Sequence, residues 1–141
     1  MKNLFLIIIF IVCYGTGKAQ GTPIIKLYYV NLNIMTPMDI NCDAFKLLFK
    51  YEIKKVIINN KKDIDSLIIL LNNLQVNKSK YIPDVRAELE LFNNNKSKLF
   101  CLDKWGLYSE GKSYFLPDKL LKILKRYMKY VELSPKPKSS K

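Results

Sequence analysis

The apolar pattern opens on an unbroken run, Leu4 to Val12, preceded by Lys2 and followed by the small residues of Gly15-Thr16-Gly17-Lys18-Ala19. Gly17 and Ala19 take the −3 and −1 positions of a cut before Gln20. A basic start, a short apolar stretch and small residues at the cut form a secretory signal. A membrane span needs about 20 apolar residues, and this run stops at eleven even when counted through Tyr14. Cleavage between Ala19 and Gln20 is therefore expected. Lipid attachment at Cys13 is disfavoured, because Val12 stands where such signals want a small residue. No later stretch is long and apolar enough to span.

Beyond Gln20 the period changes repeatedly. Ile24 to Leu32 is β-branched and aromatic and predicts a strand. Met38, Ile40 and Cys42 alternate with Asp39, Asn41 and Asp43, which predicts a second short strand with Asp43 capping a helix that carries Phe45, Leu48 and Phe49. Glu52 to Ile58 predicts a third strand. After Asp63, read as an N-cap, Ile64, Leu67, Ile68, Leu71 and Leu74 form one helical stripe. Val85, Ala87, Leu89 and Leu91 alternate with Asp84, Arg86, Glu88 and Glu90, the pattern of a half-buried strand with a wet face. Asn93-Asn94-Asn95 is turn material leading to a partner strand at Leu99 to Leu102. A further hairpin, Trp105 to Tyr108 with Ser113 to Leu116, turns at Gly111. The aromatic residues there, Trp105, Tyr108 and Tyr114, are expected in core or edge packing rather than in a ligand platform.

The last element runs from Pro117-Asp118 to Glu132. Leu120, Leu121, Ile123, Leu124, Tyr127, Met128 and Val131 share one arc, opposite Lys119, Lys122, Lys125, Arg126 and Lys129. An apolar arc that wide suits packing on a domain core, while the basic side fits an anionic membrane as the alternative. The fold class that follows is α+β: a small, mostly antiparallel sheet with about three helices packed mainly on one face. One domain is expected over 20–133. A disordered basic tail over 134–141 follows, since Ser134 to Lys141 holds no apolar residue to bury.

Composition narrows the chemistry. Cleavage after Ala19 leaves 122 of the 141 residues, enough for one ordinary core. The 24 basic residues lose Lys2 and Lys18, leaving 22 against 12 acids, a charge of +10. Such a charge attracts anionic partners. Yet only Arg86 and Arg126 are arginines, and a nucleic-acid reader favours arginine. Nucleic acid is therefore not the expected partner, and the abundance of Lys, Asn and Ile gives part of the charge a compositional reading.

The chain has no histidine, which removes the commonest base near neutral pH, every Ser-His or Cys-His nucleophile and His-ligated zinc. Two cysteines after cleavage cannot hold a four-thiolate metal, and Gly21, Gly106 and Gly111 cannot build a phosphate cradle. Ser109-Glu110-Gly111-Lys112 matches a bare S-x-x-K but reads as a hairpin turn. The acids Asp84, Glu88, Glu90 and Asp103 contain a possible glycosidase pair, with a solvated strand face as the preferred reading. The sequons Asn77-Lys78-Ser79 and Asn95-Lys96-Ser97 say little in a chain this rich in asparagine.

Cys42 and Cys101 are an even pair in an oxidising compartment, so a disulfide is expected, with two buried free thiols as the bland alternative. These observations lead to an exported protein, periplasmic or secreted, without catalytic, cofactor-binding or metal-binding residues. It would act as a binding or inhibitory module on an unknown protein or small ligand. The alternative is an envelope-associated protein that binds anionic lipid or acidic polysaccharide through Lys119, Lys122, Lys125, Arg126 and Lys129.

Overall fold

A computed structural model describes residues 21–128 apart from Lys80, Asn94 and Asn95. The expected signal, its cut at Ala19 and Gln20, the tail over 134–141, Lys129 and Val131 lie outside the described residues. Alternation and helical periodicity become, in chain order, β1 (Ile24–Tyr29), α1 (Cys42–Leu48), β2 (Lys54–Ile58), α2 (Lys61–Asn72), β3 (Ala87–Asn93), β4 (Lys96–Leu102), β5 (Gly106–Ser109), β6 (Lys112–Phe115) and α3 (Asp118–Tyr127). The fold is α+β. Six strands in the order β2-β1-β3-β4-β5-β6 form one antiparallel sheet.

The β5–β6 turn is where S-x-x-K falls. Glu110 and Gly111 both have positive φ, 50° and 77°, the requirement of a two-residue hairpin turn that matches the twist of its strands. Ser109 Oγ donates to Leu99 O at 2.6 Å, so this serine belongs to the sheet.

Alternation along the strands gives the sheet two faces. One presents Ile25, Leu27, Leu89, Phe100, Leu102 and Leu107 to α2 and α3, whose Leu67, Leu71, Leu120, Ile123, Leu124 and Met128 complete the larger core. Each large side chain buried there contributes about 1.5–3 kcal/mol. The stripe expected on α3 thus packs inward as far as Met128. Beside it Tyr127 donates to Asp63 Oδ2 and Arg126 reaches Asp63 Oδ1, both at 2.6 Å, tying α3 to the first turn of α2.

The other face carries α1. Phe45 and Phe49 pack with Val30, Ile40, Val85 and Cys101 in a second, smaller core. The Cys42–Cys101 disulfide is present, with Cα atoms 5.8 Å apart. It joins the first residue of α1 to the middle of the sheet.

Three local expectations are corrected. No strand forms at Met38 to Cys42. Ile40 makes isolated backbone links instead, donating to Asp84 Oδ1 and accepting from Val85 N, and Cys42 already begins α1. The caps also move upstream, by two and three residues. Asn41 and Asn60 have extended backbones and accept from Ala44 N and Asp63 N, so they cap in place of Asp43 and Asp63. The third correction is the wet face of β3. Arg86 and Glu88 are 3% and 2% exposed, because α1 and the 30–40 loop close over that side.

Candidate functional site

The buried polar residues gather where β3 begins and β4 turns into β5. Arg86 uses all five of its N–H groups. Nε donates to Ile34 O, Nη1 to Asp84 Oδ1 and Val85 O, and Nη2 to Asp84 Oδ2 and Thr36 Oγ1, over 2.5–3.1 Å. A guanidinium taken from water needs such complete pairing. Its effect is to hang the 30–40 loop on the strand.

Asp103 is equally engaged. Oδ1 accepts from Trp105 N at 2.6 Å and Gly106 N at 2.9 Å, and Oδ2 accepts from Asp84 N at 3.2 Å and from the Tyr81 hydroxyl. Burial, then this hydrogen bond to Asp103, push the Tyr81 phenol up. The Tyr81 ring lies against Gly106, where an added Cβ would meet Cδ1 at 2.9 Å, so this site excludes any larger residue.

These two carboxylates hold open a cleft of about 260 Å³ between the 32–36 loop and the β4–β5 turn. Its floor is Asp84, Arg86 and Asp103, and its rim includes Met35 and Trp105. Met35 is 93% and Trp105 71% exposed, with Met38 nearby in sequence also exposed. Trp105 is therefore in neither core nor edge packing: the tight turn around Asp103 throws its ring outward, where Lys104 Nζ stands 5.2 Å away. Tyr108 and Tyr114 are half-buried, Tyr114 against the larger core and bridged to Val76. The Asp103-Lys104-Trp105-Gly106 order, aspartate first and glycine fourth, is a turn signature that could have located this corner.

The four acids weighed as a carboxylate pair divide into two sets. Asp84 and Asp103 serve the cleft corner, while Glu88 and Glu90 lie near α1. Lys46 Nζ approaches Glu90 Oε1 at 2.6 Å and Glu88 Oε2 at 2.9 Å. Only the first contact has hydrogen-bond alignment, so Glu88 Oε2 has charge compensation without a hydrogen bond. Burial pushes Glu88 up, and Lys46 offsets it in part. Lys46 itself is raised, because Glu90 and Glu88 outweigh the burial that would lower it. At 2% exposure Glu88 offers no surface to a sugar.

On α3, Lys119, Lys122, Lys125 and Arg126 are exposed. Arg126 pairs with Asp63, and burial with the Asp63 hydrogen bond pushes Tyr127 up to about 12. Among the described residues no three Cys, Asp or Glu side chains come together as metal ligands. No helix among them is long and apolar enough to cross a membrane.

The corner thus defines a rigid polar scaffold under an apolar rim. Compared with known families, curated proteins and solved structures, the chain matches none of them.

Proposed function

We propose that this chain is an exported, non-enzymatic binding or inhibitory module that engages a protein partner through the Met35–Trp105 rim. The observation that carries the reading is the saturation of the corner. Every N–H of Arg86 and both oxygens of Asp103 are spent on the chain itself. Groups committed in this way hold loops in place rather than wait for substrate. What they hold is a tryptophan and a methionine exposed to water, residue types enriched at protein interfaces. The disulfide supports an oxidising destination.

The test uses the single tryptophan as reporter. Titrating the purified chain with fractions of its native envelope should shift Trp105 emission to the blue in one fraction. W105A and M35A should abolish retention of that partner while leaving the melting transition in place. Retention unchanged in both variants overturns the reading.

A second reading rests on the exposed basic side of α3, where Lys119 and Lys122 extend from the helix. It makes the protein an envelope-associated binder of anionic lipid or acidic polysaccharide. Vesicle binding that depends on these lysines and not on Trp105 would favour it.

A further inference from the structure

The two edges of the sheet are finished differently. β6 is covered by the chain's own segment: Asn77 N donates to Ser113 O at 2.9 Å, Phe115 N donates to Gln75 O at 3.0 Å, and Val76 bridges Tyr114. At the opposite edge, β2 has β1 as its one strand neighbour among the described residues. An open edge presents unpaired N–H and C=O groups that another strand can take up.

Within β2 itself the charged side chains carry one sign. Lys54 and Lys55 are exposed on β2, and Lys61 and Lys62 are exposed at the start of α2. Among the described residues these four form no ion pair, and Lys55 Nζ stands 5.6 Å from the centre of the Tyr28 ring. Lysines on an edge can serve only to repel other strands. Repulsion gains nothing from Ile57, which stands 53% exposed in the same strand. Charge and apolar surface together fit a particular guest.

We propose that the β2 edge docks an extended acidic segment of a partner protein as an additional strand. Residues opposite one another on neighbouring strands share a face. Lys54 and Lys55 point to opposite faces, so they select two adjacent acidic residues in the guest. Val56 and Ile57 select β-branched apolar residues beside them. The surface contains no residue of the Trp105 cleft, so it goes beyond the rim reading and stands or falls separately.

The experiment is an NMR titration of the purified chain with a capped peptide in which two glutamates adjoin a run of valine and isoleucine between serines. Amide shifts should centre on 54–58. K54E combined with K55E should weaken binding by roughly tenfold or more, with the remaining spectrum unchanged, and W105A should have no effect. A peptide of the same charge with prolines in the apolar run should fail, because proline cannot donate to the ladder. Equal binding by the proline peptide, or the same shifts with an acidic polysaccharide, would reduce the edge to a simple anion site and overturn the proposal. So would an absence of shifts, or a dimer sealed along β2 without peptide.

Discussion

Asp84 and Arg86 meet through two parallel hydrogen bonds, Nη1 to Oδ1 at 2.6 Å and Nη2 to Oδ2 at 2.5 Å, with the arginine 3% and the aspartate 35% exposed. This asymmetry of burial predicts an asymmetry of mutation. D84A leaves a charge sealed in the protein, which costs about 3–5 kcal/mol. R86M puts an apolar chain in the same space and leaves a carboxylate that can reach water. It should cost less, about 1–3 kcal/mol, from the unsatisfied carbonyls of Ile34 and Val85. Urea unfolding of both variants measures the order, and R86M costing more than D84A would contradict it.

The disulfide should be complete in protein made under oxidising conditions. Unreduced, unfolded chain should take up no thiol label, and reduction should add the mass of two hydrogens. Cys42 and Cys101 are 59 positions apart, so removing both should cost about 4 kcal/mol in the chain-entropy account. The larger core lies on the opposite face and should still fold. Labelling at both sites without reductant refutes the bridge.

Glu88 gives the stability curve a sign. Burial holds its folded value above the ordinary 4.5, so in that window the folded chain keeps a proton that the unfolded chain has lost. Stability from this group is therefore present at lower pH and lost as pH rises through the folded value. The stability of E88Q minus that of the unaltered protein should increase from about pH 4.5 toward neutrality. A flat or falling difference in denaturant titrations at several pH values would show that Lys46 cancels the burial.

For α3, L124A should cost about 2–5 kcal/mol, because Leu124 is fully buried against the sheet. K122E should change stability by less than about 0.5 kcal/mol. If the helix serves an anionic surface as well, K122E should weaken vesicle binding by about 1 kcal/mol. Calorimetry and vesicle sedimentation on both variants separate the two roles.

Much of this organisation is legible along the chain. Alternation at Val85–Leu91, the stripe from Ile64 to Leu74 and the arc from Leu120 to Met128 each depend on a period of two or 3.6, and such periods depend only on local geometry. The cysteine pairing followed from their even number after the expected cleavage. Periodicity marks which residues share a face, however, and not what lies over that face. Arg86 and Glu88 alternate as solvent-facing residues do, yet Phe45, Lys46 and the 30–40 loop come from some forty residues away to cover them. The asparagine caps were missed because neighbouring Asp43 and Asp63 offer equivalent side chains, and only the backbone angles of Asn41 and Asn60 separate them. The outward Trp105 and the place of β2 at the sheet edge among the described residues belong to tertiary structure for the same reason. Burial and edge position are properties of neighbours brought together by chain reversal, and no local pattern encodes the identity of those neighbours.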